Sequence, residues 1–250
     1  MRLNELLISS SNDEIGNAIT KSYDEIVRHY VLRNWKTAGL DAGHFVEAVR
    51  RFLEFKLFGS ATPIGRGLSN FNEAALKSYL DATGDESYRI LIPRILWSLY
   101  ALRNKRSIGH LGAVPANEID ASILLNGSKW VLSEIVRLCS TGSESETRSL
   151  VHRLVERQEM ALWREDDIIR VLDPKIGARE KILIILTLTG EKSEGELKDH
   201  VAYANGTNFR KILRRLDRSN LIAYSSARCR ISPTGAVAAE KAIESRGYFE

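Results

Sequence analysis

The sequence predicts a mainly α chain in two parts: a helical bundle over residues 1–174 and a small basic domain over residues 175–250. Three observations carry this. Apolar residues recur at helical spacing through most of the first 165 positions. Capping tetrapeptides of the Ser-x-x-Glu type stand ahead of several of those runs. Charge is uneven: residues 1–174 carry 22 Lys+Arg and 23 Asp+Glu, residues 175–250 carry 14 and 9. A local basic excess argues for an anionic partner and says nothing about fold.

In the first part, Ser11-Asn12-Asp13-Glu14 is a capping box, and Ile15, Ile19, Tyr23, Ile26, Val27 and Tyr30 follow at helical spacing. Gly39 is expected to stop that helix and Asp41 to cap the next, which carries Phe45, Val49, Phe52, Leu53 and Leu57. A loop with Pro63 follows over Gly59 to Gly67, then a short helix from Asn70-Phe71-Asn72-Glu73 to near Gly84. Pro93 suits a first helical turn, where its missing N–H costs nothing, and opens an apolar helix to Arg106. Asn117 starts a long helix through Ile123, Leu124, Trp130, Ile135 and Leu138. Ser143-Glu144-Ser145-Glu146 leads another to about Trp163. Helices joined by short links argue a bundle.

The break between the parts is placed at Leu172-Asp173-Pro174-Lys175-Ile176-Gly177. Beyond it, Arg179 to Leu188 reads as a helix, Ser193 caps a second to about Tyr203, and Thr207 caps a third to Ser219. Leu221 to Tyr224 and Arg228 to Ile231 read as a two-stranded ribbon, and Ser232-Pro233-Thr234-Gly235 opens a last helix. Three helices and a hairpin in this order make a winged helix-turn-helix.

Composition narrows the classes. Hydrophobic residues make up 44% and charged residues 27%, which excludes a wholly disordered chain. The apolar stretches Ile182 to Leu186 and Ile95 to Leu102 fall far short of the roughly 18 residues of a membrane span. No leader is expected from Met1 to Ser11, and no membrane partner. Cys139 and Cys229 form neither a disulfide framework nor a zinc spacing, so a reducing cytoplasm is expected and neither metal nor cofactor is. Glu165-Asp166-Asp167 reads as a solvated loop, and no Walker loop or Gly-x-Ser-x-Gly occurs.

The third helix of the basic part buries a stripe of Phe209, Ile212, Leu213 and Leu216. Arg210, Lys211, Arg214, Arg215 and Arg218 lie away from that stripe, with Asp217 the one acid nearby. Such a helix can enter a major groove or lie along phosphates, and Arg228 and Arg230 on the wing would add to it. A solvated charged face and a protein-docking module are the other readings.

The most informative string is Leu102-Arg103-Asn104-Lys105-Arg106-Ser107-Ile108-Gly109-His110. Seven residues at about 100° each come ~20° short of two turns, so Arg103 and His110 share a helical side, as do Arg106 and His110. Gly109 and Gly112 would let a phosphate approach the backbone. The spacing alone carries little; a capping histidine at a helix end is the plainer reading.

Arg-Asn followed by His at this separation, late in a small helical bundle, resembles the motif of the HEPN superfamily. The likeness runs from about Gly39 to Cys139, and Gly43-His44-Phe45-Val46-Glu47 and Ile92-Pro93-Arg94 resemble its abortive-infection members. The resemblance implies a metal-independent endoribonuclease, a homodimer with two motifs in one cleft, and a role in phage defence or toxin-like growth arrest. Carried over by position, Arg103 and His110 would be catalytic and Asn104 would support them. RNA would be the substrate, and the C-terminal domain would bind DNA, RNA or a regulatory protein. The competing reading is a non-enzymatic dimeric winged-helix regulator that binds DNA.

Overall fold

The computed structural model describes residues 3–105, 115–156, 162–165, 168–173 and 175–244. Most of these are helical, and the chain divides into two compact units, Met1–Val155 and Glu156–Glu250.

In the first unit, α1 (Leu3–Ser10) buries Leu6 and Leu7. Asn12 then caps α2 (Asp13–Val31), its side chain accepting the Ile15 N–H at 2.9 Å. Helix α2 does not continue to Gly39. It ends in a tight turn in which Arg33 takes a left-handed conformation (φ 56°) and the Asn34 N–H closes on His29 O at 2.8 Å. Helix α3 (Trp35–Phe58) runs straight through Gly39 and Asp41. Gly39 is buried inside it, so packing overrides the roughly 1 kcal/mol cost of a mid-helix glycine. Asp41 is not a cap.

Two arginines of α3 are buried, at 3% and 5% exposure. Arg50 donates both terminal nitrogens to Ser69 O and lies over the Phe71 ring at 4.4 Å. Arg51 donates to Thr62 O at 3.2 Å and to Arg66 O at 2.7 Å. A buried cation needs such partners, and here they pin the long loop between Gly59 and Asn72 to the helix. Asn72 caps α4 (Glu73–Asp81) as its sequence suggests.

The next helix begins earlier than Pro93. A π-helical turn, Ser87–Leu91, runs into α5 (Ile92–Lys105), and the Ile92 N–H reaches back to Ser87 O. Pro93 has no N–H to give, and a widened turn ahead of it absorbs the change in hydrogen-bond register. Helix α6 (Glu118–Cys139) opens on a reciprocal cap between Asn117 and Asp120, and α7 (Glu144–Glu156) on one between Ser143 and Glu146. Helices α2, α3, α5 and α6 pack around the core formed by Ile19, Tyr23, Phe45, Phe52, Leu96 and Leu132.

The second unit begins with a hairpin that sequence reading misses. Strands β1 (Leu162–Glu165) and β2 (Ile168–Val171) pair antiparallel, so Trp163, expected at the end of a helix, lies in a strand. This hairpin belongs to the C-terminal unit: the Ile169 N–H donates to the buried His200 Nδ1 at 3.0 Å. The division of the chain therefore falls ahead of it, not at Leu172 to Gly177.

Helix α8 (Ala178–Thr189) is followed by β3 (Lys192–Ser193), α9 (Glu194–Val201), α10 (Gly206–Arg218), β4 (Ile222–Ser225), β5 (Arg228–Ile231) and α11 (Pro233–Glu244). The sheet order is β3-β5-β4, all antiparallel. Helix α10 is capped by Asn205, not Thr207: the Asn205 side chain accepts the Asn208 N–H at 3.0 Å. The β4–β5 turn is two residues, Ser226 and Ala227, at φ 49° and 58°. Both central residues of such a tight hairpin must be left-handed to match the strand twist.

Gly235 is fixed by a close approach. A Cβ there would stand 1.8 Å from Leu221 O, and that oxygen already accepts the Ser232 N–H. Gly235→Ala is therefore expected to destabilise the second unit by about 3 kcal/mol or more, read as a lower midpoint for its denaturant unfolding; an unmoved midpoint would contradict the contact.

Candidate functional site

Helix α5 ends by delivering Arg103 against α3. The side chain lies on the Cα of Gly43, where a Cβ would come within 3.1 Å of Nε and 3.6 Å of Cζ. Any larger residue at 43 would have to push the guanidinium off. Its Nη1 donates to the Asn104 side-chain oxygen at 2.9 Å. Nε is buried and makes no hydrogen bond to a described residue. The guanidinium is thus held from below by a glycine and from the side by its neighbour, while Asn104 and Lys105 remain exposed. His110 and Arg106 lie outside the described residues.

Beside Gly43 stands a charged cluster that the sequence reading does not find. His29 of α2 meets Asp41 of α3, Nδ1 to Oδ2, at 2.6 Å. Arg28 Nη2 sits 3.2 Å from His29 Nε2. An arginine only donates, so in the neutral ring Nε2 accepts and Nδ1 carries the proton toward Asp41. His44 lies 3.9 Å from Asp41 with 70% of its side chain exposed. The signal was hidden because Asp41 looks like a cap when Gly39 is taken as a helix end.

The second unit carries the basic helix. Phe209, Leu213 and Leu216 of α10 are buried and Ile212 is half-buried, as the stripe requires. All the cations named on α10 and on β5 are exposed. They are not equivalent. Arg210 is held by Glu194 at the start of α9, with contacts of 2.8 to 3.1 Å. The Tyr224 hydroxyl donates to the same carboxylate. Arg228 is paired with Glu191. Lys211, Arg214, Arg215, Arg218 and Arg230 make no salt bridge or hydrogen bond to a described residue. Asp217, the acid on this helix, accepts the Tyr224 N–H at 2.9 Å and so is spent on β4.

Among the described residues no group of three His, Cys, Asp or Glu could hold a metal ion. No described helix is long and apolar enough to cross a membrane. The Cys229 thiol is fully buried and burial pushes its pKa up to about 12, so it is no nucleophile. No protein-family profile, curated protein or solved structure matches the chain.

Glu194 is held below the ordinary glutamate range, chiefly by Arg210 and then by Tyr224. A lowered carboxylate pKa contributes stability that is present above the unfolded value and lost as pH falls through the folded one. Glu194→Gln is therefore expected to cost the second unit stability at neutral pH, and the gap to wild type is expected to close in acid. Denaturant melts across pH check this; a gap that persists below the carboxylate range would assign the effect to something other than this charge.

Proposed function

We propose that the protein is a metal-independent endoribonuclease of HEPN type, with the chemistry in the N-terminal unit and nucleic-acid binding in a C-terminal winged helix-turn-helix. The observation that carries the first half is the seat of Arg103: a permanently charged fork, ordered on Gly43 and held by Asn104, beside a solvent-exposed helix end. The order of helices and strands in the second unit, with a short turn between β4 and β5, supports the second half.

The reaction this reading assigns is attack of the RNA 2′-OH on its own phosphorus. The 2′ oxygen loses its proton to a base, the P–O5′ bond breaks, and the 5′ oxygen leaves with a proton from an acid. The products are a 2′,3′-cyclic phosphate and a 5′-hydroxyl. His110 would move the protons, since imidazole titrates near neutral pH. Arg103 would meet the charge that builds on the non-bridging oxygens, where a guanidinium binds in a bidentate manner. Asn104 would keep that guanidinium aimed. DNA has no 2′-OH and would not react. A reducing cytoplasm, and a role in phage defence or growth arrest, belong to the same proposal.

A second reading is favoured by one observation. On α10, Lys211, Arg214, Arg215 and Arg218 point to solvent with the helix's own acid turned away. That is the electrostatic footprint of a DNA-binding regulator that cuts nothing.

Labelled RNA incubated in EDTA decides between them. Wild type is expected to cut. Arg103→Ala is expected to lose about 10²–10³-fold in rate, and His110→Ala about 10²–10⁴-fold. Gly43→Ala is expected to lower the rate while the folded state persists, because it displaces the guanidinium alone. Absence of cleavage by wild type would remove the nuclease reading. For the regulator, Arg214→Ala and Arg215→Ala are each expected to reduce the slope of log affinity against log salt by about one; an unchanged slope would take α10 off the phosphates.

A further inference from the structure

Helix α4 is short, and it is apolar on two sides. Tyr79 is buried and stacks on Phe58 of α3. Leu76 and Leu80, one turn apart on another side, line a groove against the π-helical turn that opens α5. Ile90 of that turn and Pro93 of α5 stand across from them, and the four floor a space of about 230 Å³. Leu80 is 40% exposed there. The space exceeds the roughly 150 Å³ that takes up a benzene ring, so it admits an aliphatic side chain from outside.

Three cations rim the groove: Lys77 of α4, Arg89 of the π-helical turn and Arg94 of α5. One acid, Glu73, lies among them. Arg89 has a structural duty. Its Nε and Nη2 both donate to Leu80 O, a carbonyl of the last turn of α4, where helical N–H partners run out. That bond ties one wall to the other. Lys77 and Arg94 are exposed, and their side chains make no salt bridge or hydrogen bond to a described residue.

We propose that this groove docks an acidic segment of another protein, anchored by one or two aliphatic side chains. The floor and the rim each set half of that description. The floor is aliphatic and takes apolar side chains. It offers no aromatic ring for a nucleobase to stack on, so a single-stranded nucleic acid finds charge here but no platform. The rim is cationic and selects against basic segments. A short amphipathic helix with acids flanking its apolar face meets both. Arg94 and Arg103 lie nine positions apart on α5, which is about 14 Å along the helix and about half a turn round it. The docking site is therefore separate from the Arg103 site and stands or falls without the nuclease reading.

Short random peptides displayed on phage and selected against the full chain test the proposal. The enriched sequences are expected to carry Asp or Glu around Leu, Ile or Met, and to bind wild type as synthetic peptides. Their affinity is expected to fall about tenfold or more with Lys77→Glu and Arg94→Glu combined, and with Leu80→Glu, at unchanged circular dichroism. All three positions are exposed, so these variants keep the fold. Enrichment of no sequence, of sequences without acids, or of peptides that bind the variants as tightly as wild type would overturn the docking site. Labelled single-stranded DNA is expected to bind the double variant no worse than wild type; a loss confined to the variant would assign Lys77 and Arg94 to phosphate and overturn the acidic peptide.

Discussion

The chemistry proposed for the first unit depends on one contact, the Arg103 side chain lying on the bare Cα of Gly43. An arginine at a helix end ordinarily sweeps through solvent, with about 2 kcal/mol of rotamer entropy to lose on binding anything. Here much of that is lost in folding. The glycine removes the one atom that would stand in the way, and Asn104 takes up a terminal nitrogen. What makes the seat firm is the helix beneath it. Helix α3 is buried along most of its length, and Arg50 and Arg51 tie it to the loop beyond Gly59 through backbone carbonyls. Tilting α3 would strand two buried cations, a far larger cost than any gain in freedom at Arg103.

A single carboxylate plays the matching part in the second unit. Glu194 starts α9, takes Arg210 from α10 and takes Tyr224 from β4, so three elements meet on it. If α10 binds nucleic acid as proposed, the consequence is a division of labour among the arginines. Arg210 positions the helix and has little left to offer a phosphate. Lys211, Arg214, Arg215 and Arg218 remain free to do so.

The parts of the fold legible in the sequence were those written in local chemistry. Asn72, Asn117, Ser143 and Ser193 each sit where a helix starts, because a side-chain oxygen satisfying an end N–H needs only its own next turn. What failed was decided by distant residues. Gly39 looks like a stop, yet burial against other helices carries α3 through it. The start of β1, Leu162 and Trp163, reads as the tail of a helix, and β2 gives no signal of its own; pairing with each other and the Ile169 N–H donating to His200 make the two a hairpin. The same limit applies to the site. Arg103 and Asn104 are adjacent and could be read together, whereas Gly43 beneath them and the His29–Asp41 pair require knowing how α2, α3 and α5 stack. Helix α6 is the instructive case. Ile123 and Trp130 were grouped with Leu124 and Ile135 as one apolar helix, and only the packing sorts them into an inner face and an exposed one.

Charge explains why the two units would need each other on the nuclease reading. Residues 1–155 carry 19 Lys+Arg against 17 Asp+Glu and residues 156–250 carry 17 against 15, so neither unit's summed charge draws in a polyanion strongly; what differs is that the second gathers its cations on α10. At physiological salt, interactions between exposed charges fade over about 8 Å, and one guanidinium on Gly43 supplies a single phosphate contact. Such a site can stabilise a transition state but cannot hold a strand. Affinity for nucleic acid grows with each phosphate neutralised, because each releases counterion. On the same reading the unpaired cations of α10 would provide several such contacts and no chemistry. On this reading, a chain with the reacting groups in one unit and the gripping cations gathered on a helix of the other separates turnover from capture: loss of the grip would raise the substrate concentration needed while leaving the bond-breaking step as fast as before.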